Sequence, residues 1–146
     1  MSQPAGRHLG PGAVAPAPPR ADHVASPSAS RPPMTSEDLL SLVWVADPQI
    51  SPDGTRIAFT RVWVDREADA YRTRIQLAER SGGTPRDLTS GVLDSQPRWS
   101  PDGRSLAFVR GEEGKDKDAQ IFVLPMSGGE SRKLTSLKGG ASDPAW

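Results

Sequence analysis

Trp99-Ser100-Pro101-Asp102-Gly103-Arg104-Ser105-Leu106-Ala107-Phe108 decides the fold, because Ile50-Ser51-Pro52-Asp53-Gly54-Thr55-Arg56-Ile57-Ala58-Phe59 is an earlier copy of it. From Ile50 to Trp99 the period is 49 residues, and a proline stands two residues before each copy, at Pro48 and Pro97. A third proline-x-tryptophan, Pro144-Ala145-Trp146, follows 47 residues after the second. A different pair of segments, Ile75 to Thr89 and Ile121 to Thr135, keeps nearly the same register at a spacing of 46. The three-residue difference falls in Val62 to Thr73 against Gly111 to Ala119, where a surface loop is expected. Self-similarity at this period marks a repeat architecture, and the contents of the repeat decide which one.

Ser-Pro-Asp-Gly has the chemistry of a reversing turn. Proline presets φ at the second position, aspartate tolerates the third, and glycine accepts the left-handed conformation that re-enters the next strand. Each copy therefore joins two antiparallel strands. The second strands read as Arg56 to Trp63 and Ser105 to Arg110, and the third as Arg74 to Ala78 and Gln120 to Leu124. Ser81-Gly82-Gly83 and Ser127-Gly128-Gly129 then turn the chain into short fourth strands ending at Thr89 and Thr135. Four antiparallel strands per ~40 to 50 residues is the content of one propeller blade.

The expected fold is therefore all-β: the first two blades of a β-propeller, about 48–96 and 97–143, with a third beginning at 144. Closed propellers use about four to eight blades, so the sequence reads as cut through a repeat. Two blades by themselves leave open strand edges, and such a pair is expected to aggregate. Ahead of the blades, Thr35-Ser36-Glu37-Asp38 supplies a hydroxyl cap with an acid three residues on, followed by Leu39, Leu40, Leu42, Val43 and Trp44. A helix of two to three turns is expected over 34–47, ended by Asp47-Pro48. Met1 to Pro33 holds eight of the fifteen prolines and seven alanines, too little apolar bulk to offset ordering, and is expected to be disordered. Met34, directly before the first structured signal, is a candidate natural start.

Net charge is zero, with +2 in Met1 to Pro33 and −2 in Met34 to Trp146, so no basic footprint for nucleic acid is present. No apolar run has the roughly 18 to 20 residues of a membrane helix, and the N-terminus lacks the apolar core of a secretory signal, which points to the cytoplasm. There is no cysteine, and both histidines, His8 and His23, lie in the tail. A Ser-His-Asp triad or a thiol nucleophile cannot be built from Met34 to Trp146. No catalytic, cofactor-binding or metal-binding residue is assigned, and no cofactor is expected.

Several features invite a functional reading that simpler chemistry accounts for. Asp53 and Asp102 sit where turns favour aspartate. Asp116-Lys117-Asp118 resembles half a calcium loop but lacks the following glycine and distal glutamate. The two Ser-Gly-Gly sites precede no helix and read as turns. Trp99 and Trp146 are expected as core aromatics between blades, and Trp63 near a loop as either core or surface contact.

The run Met34-Thr35-Ser36-Glu37-Asp38-Leu39-Leu40, then Val45-Ala46-Asp47-Pro48-Gln49-Ile50-Ser51-Pro52-Asp53-Gly54 and the Trp-Ser-Pro-Asp-Gly repeat, resembles the N-terminal propeller region of the prolyl oligopeptidase family of serine peptidases. The acylaminoacyl-peptidase-like and dipeptidyl-peptidase-like branches are nearest. The resemblance covers roughly Met34 to Trp146. It implies a seven- or eight-bladed propeller gating access of short peptides to a C-terminal α/β-hydrolase domain that carries the catalytic triad. No triad residue has a counterpart here. The partners so implied are that hydrolase domain and a peptide substrate, with no nucleic acid and no membrane. A non-enzymatic propeller scaffold for protein binding is the alternative, and a propeller enzyme of another class, such as a polysaccharide lyase, is a third. Alternating connections are expected to gather the Ser-Pro-Asp-Gly and Ser-Gly-Gly turns at one face. The more varied loops Asp65 to Arg72, Gly111 to Asp118, Ser90 to Ser95 and Ser136 to Asp143 then fall on the other, where partner contacts are expected.

Overall fold

The computed structural model describes residues 33–114 and 118–146. The tail read as disordered, Pro33 apart, and Asp116-Lys117 of the half calcium loop lie outside the described residues.

Helix α1, Ser36–Leu40, begins with the expected cap. The Thr35 side chain accepts the Asp38 N–H, and the Asp38 carboxylate accepts the Thr35 N–H at 2.7 Å. The helix does not run on to residue 47. Val43–Ile50 is a strand, β1, because Val43-Trp44-Val45 is β-branched and aromatic and its backbone pairs with Arg61 to Trp63 of the next strand.

Two four-stranded antiparallel sheets follow. The first is β1, β2 (Arg56–Asp65), β3 (Ala70–Glu79) and β4 (Arg86–Asp87), in chain order. The second is β5 (Asp94–Trp99), β6 (Ser105–Arg110), β7 (Gln120–Pro125) and β8 (Arg132–Lys133), again in chain order. Among the described residues the chain is thus all-β beyond one short helix, with two successive blades. The expected loop Asp65 to Arg72 shrinks to residues 66–69, since the β2–β3 ladder continues from Arg56↔Glu79 out to Asp65↔Ala70.

Both first strands start ahead of their prolines, which places Pro48 and Pro97 inside strands. A register shift between Ala46 and Gln49, repeated between Ser95 and Arg98, makes this tolerable. At such a bulge no ladder donor is required, so the missing proline N–H costs nothing. The residues before the prolines, Asp47 and Gln96, take φ values of 48° and 53°, and Asp143 before Pro144 takes 51°. Three repeats therefore carry the same backbone irregularity.

The predicted turns form as their chemistry requires. The Gly54 N–H donates to Ser51 O at 2.8 Å and the Gly103 N–H to Ser100 O at 2.9 Å, with the glycines at φ 71° and 67°. Between the sheets lies a core of Ala58, Ile75 and Leu77 from the first blade and Leu106, Phe108 and Leu124 from the second. Phe108, Ile75 and Leu106 are fully buried, and each such side chain contributes roughly 1.5–3 kcal/mol of stability.

The Asp53 carboxylate accepts bonds from the Ser51 hydroxyl at 2.6 Å and from the Thr55 N–H at 3.0 Å and hydroxyl at 2.8 Å. Chiefly the Ser51 bond, then the Thr55 bonds, lower its pKa from 3.8 to about 2. The folded value lies below the unfolded one, so this stabilisation is complete above pH 3.8 and is lost as pH falls through about 2. Urea midpoints measured across that window should fall as pH is lowered, and Asp53→Asn should flatten the fall. Identical pH slopes for the two proteins would refute this role.

Candidate functional site

The junction between repeats is built from equivalent positions used twice. The Trp99 indole N–H donates to Gln49 O at 3.1 Å, and the Trp146 indole N–H donates to Arg98 O at 3.0 Å. Gln49 and Arg98 each precede the first residue of a Ser-Pro-Asp-Gly copy, so each tryptophan clasps the matching carbonyl of the repeat before it. Across the same junction the Arg56 guanidinium stacks over Trp99 at 4.9 Å, and Arg98 Nη1 donates to Asp47 Oδ2 at 2.6 Å. The Asp143 N–H donates to Gln96 Oε1 at 2.7 Å, which carries the pattern into the third repeat. Trp99 packs against the core as expected of an aromatic between blades, whereas Trp146 is open to solvent. Trp99 is half-buried and Trp146 is 55% exposed, because each spends its N–H on a backbone acceptor at the rim of the core.

The deepest charge belongs to the second blade. Asp94 is 0% exposed, and Arg110 grips its carboxylate in a fork, Nε to Oδ1 at 2.7 Å and Nη2 to Oδ2 at 2.8 Å. The Gly91 N–H adds a bond to Oδ2 at 3.1 Å, and a Cβ on Gly91 would fall 2.3 Å from Oδ1. Arg110 lies over the rings of Phe108 and Phe122 at 5.2 and 5.0 Å, and Asp94 raises its pKa further. Sequence reasoning missed this pair. Its one signal was an aspartate in a strand position that the first repeat fills with Val45.

The remaining candidates fall into structural roles. Asp102, like Asp53, is consumed within its turn, accepting from the Ser100 hydroxyl at 2.6 Å and the Arg104 N–H at 3.0 Å, and these bonds lower its pKa in that order. Gly82, Gly83, Gly128 and Gly129 all have positive φ, as the reversing turns demand. Trp63 lies on the sheet face between two arginines, Arg61 at 4.9 Å and Arg74 at 5.6 Å. No group of three or more His, Cys, Asp or Glu is placed to hold a metal ion among the described residues. Nor is any helix among them long and apolar enough to cross a membrane.

Antiparallel order brings the two kinds of turn together. The Arg80 N–H donates to Thr55 O and the Met126 N–H to Arg104 O, both at 2.8 Å, tying each Ser-Gly-Gly turn to its Ser-Pro-Asp-Gly neighbour. At the opposite end Arg72 pairs with Asp65 at 3.0 Å and with Glu113, linking the hairpin of the first blade to a loop of the second. Gln120 clamps the loop after β8 by accepting the Leu137 N–H at 3.0 Å and donating to Leu137 O at 2.7 Å. The longer loops are thus held against the sheets at one end of the blades.

No protein-family profile matches the chain. An uncharacterized peptidase of Bacillus subtilis (strain 168), YuxL, is 43% identical over 114 residues, covering 77% of this chain and 17% of the relative. Among solved structures, Pyrococcus horikoshii acylaminoacyl peptidase superposes with a TM-score of 0.57 at 24% identity, over 68% of this chain and 15% of that one. The β-propeller domain of the Trilobed protease from Pyrococcus furiosus gives 0.53 at 24% identity, over 65% and 28%. The chain carries a peptidase-associated propeller region. These matches bear out the resemblance to the propeller of prolyl oligopeptidase family peptidases, and the chain spans about a sixth of the length of its curated relative.

Within this propeller region, Trp99→Phe keeps an aromatic face under Arg56, on a smaller ring, and deletes the donor to Gln49 O. It should cost about 1 kcal/mol in urea unfolding, the usual net worth of one hydrogen bond, and an unchanged midpoint would mean the clasp is ornamental. Arg110→Met strands the Asp94 carboxylate at zero exposure and should cost about 3–5 kcal/mol. Adding Asp94→Val should recover most of that loss; an additive double mutant would contradict the buried-pair account.

Proposed function

We propose that this propeller region gates peptide access to a serine peptidase active site carried on a C-terminal α/β-hydrolase domain of the full-length, cytoplasmic protein. The observation that carries the reading is the 43% identity over 114 residues to a protein named as a peptidase, on sheets with propeller connectivity. Hydrolysis itself must fall to other residues, because Met34 to Trp146 contains neither histidine nor cysteine. What these blades contribute is position. A β-sheet pair locked by a shared apolar core offers a rigid support, and the loops clamped by Arg72 and Gln120 at one end suit contact with a peptide or a partner domain.

The test is the intact mass of the native gene product before and after reaction with a fluorophosphonate serine-hydrolase probe. A chain several times longer than 146 residues that gains one adduct is the expected result. A long chain with no adduct would replace the peptidase reading by that of a non-enzymatic binding scaffold.

A further inference from the structure

Each Ser-Pro-Asp-Gly turn contains an aspartyl-glycine bond, Asp53-Gly54 and Asp102-Gly103, and the chain has no asparagine. Aspartyl-glycine is the pair most open to isomerisation, because glycine has no Cβ to keep its amide nitrogen from the neighbouring side chain. In that reaction the glycine nitrogen bonds to the aspartate Cγ and the Cγ–OH bond breaks, the hydroxyl leaving as water with the amide proton. Water then opens the succinimide ring at either carbonyl. One opening restores aspartate, and the other leaves isoaspartate, whose main chain runs through Cγ.

The folded turns occupy both reacting groups. The Gly54 N–H donates to Ser51 O at 2.8 Å and the Gly103 N–H to Ser100 O at 2.9 Å, so each nitrogen is committed across its turn. Asp53 Oδ1 accepts the Ser51 hydroxyl at 2.6 Å, the Thr55 N–H at 3.0 Å and the Thr55 hydroxyl at 2.8 Å. Asp102 Oδ1 accepts the Ser100 hydroxyl at 2.6 Å and the Arg104 N–H at 3.0 Å. Ring closure must give these bonds up. They also favour the ionised carboxylate, the serine bond first in each case, with the Asp53 pKa lowered to about 2 and that of Asp102 lowered from 3.8. An ionised carboxylate has no hydroxyl to lose. Both aspartates are exposed, so the bonds of the turn, and not burial, withhold them from reaction.

We propose that Asp53-Gly54 and Asp102-Gly103 are latent modification sites, closed while their own blade is folded and open to isoaspartate formation once it unfolds. The serine links turn to blade. Its hydroxyl also accepts the N–H at the start of the second strand, from Arg56 at 2.9 Å in one blade and from Ser105 at 2.9 Å in the other. Opening of that strand pair frees serine, carboxylate and glycine together. Refolding does not undo the change. Isoaspartate carries its free carboxylate on the α-carbon and adds an atom to the main chain, so the serine-aspartate bond and the glycine-serine bond no longer fit one turn. Each blade thereby keeps a chemical record of its own unfolding, and neither turn depends on the peptidase assignment for this.

The native full-length gene product is held at neutral pH for weeks, with and without guanidinium chloride. Peptide mapping then uses a protease that cuts before aspartate but not before isoaspartate, with an L-isoaspartyl methyltransferase as a second readout. Isomerisation at both positions should run at least about tenfold faster in the denaturant, since two or more hydrogen bonds must open in the folded turn. Equal rates overturn the proposal. Ser51→Ala removes the serine of one turn and leaves the other intact. In the folded variant Asp53 should isomerise faster while Asp102 keeps its slow rate, and Ser100→Ala should reverse the pattern. Should a serine variant fail to fold, Thr55→Val deletes only the hydroxyl bond of an exposed residue and should move Asp53 in the same direction. No quickening at Asp53, or an equal quickening at both positions in a folded variant, also overturns it.

Discussion

An indole N–H of one repeat bound to a backbone carbonyl of the repeat before it fixes how the sheets of this protein meet. Trp99 reaches Gln49 O and Trp146 reaches Arg98 O, 50 and 48 residues back. The bond is directional, so it sets the angle and register of one blade on the next, whereas the apolar contacts of Phe108 and Leu106 with Ile75 and Leu77 set only their closeness. The bulges at Asp47-Pro48 and Gln96-Pro97 serve the same joint. By shifting the strand register they leave Gln49 O and Arg98 O to accept the indoles.

Charge is handled differently in the two blades although their backbones agree. In the second, an aspartate with no exposure is neutralised by Arg110, a pair that tolerates burial because the fork is complete and Gly91 adds a further donor. In the first, Arg74 meets Asp87 near the surface and Arg61 rests on Trp63. The asymmetry lies in which strand position carries the acid: Asp94 opposite Arg110 in one sheet, Val45 opposite Arg61 in the other. It is invisible in the cross-strand hydrogen bonds, which are nearly the same in both sheets.

Much of the architecture was legible because turn chemistry is local. Ser-Pro-Asp-Gly and Ser-Gly-Gly specify their reversals by φ preference alone, and the structure forms all four. The helix extent was misread because Leu39 to Trp44 satisfies helical spacing, while Val43 to Ala46 is claimed by the open edge of β2. Local pattern competes there with a ladder whose partner lies about 18 residues away at Arg61 to Trp63, and pairing wins because it satisfies backbone groups that a helix would leave on the sheet edge. The first hairpin loop was overestimated for the same reason: Asp65, Ala70 and Tyr71 look like loop residues until the ladder extends through them, whereas the second blade's strands end and begin at Arg110 and Gln120 as expected.

The sequence by itself determined the repeat, its period, the turns, the all-β class and the absence of histidine and cysteine from Met34 to Trp146. These follow from residue identity and spacing along the chain. Tertiary structure alone decided that the tryptophans clasp carbonyls at the edge of the core, and that Asp94 is buried against Arg110 while Arg61 makes no ion pair among the described residues. Those outcomes depend on which faces two sheets turn toward each other. That choice is set by contacts between residues some fifty positions apart, for which no local signal exists.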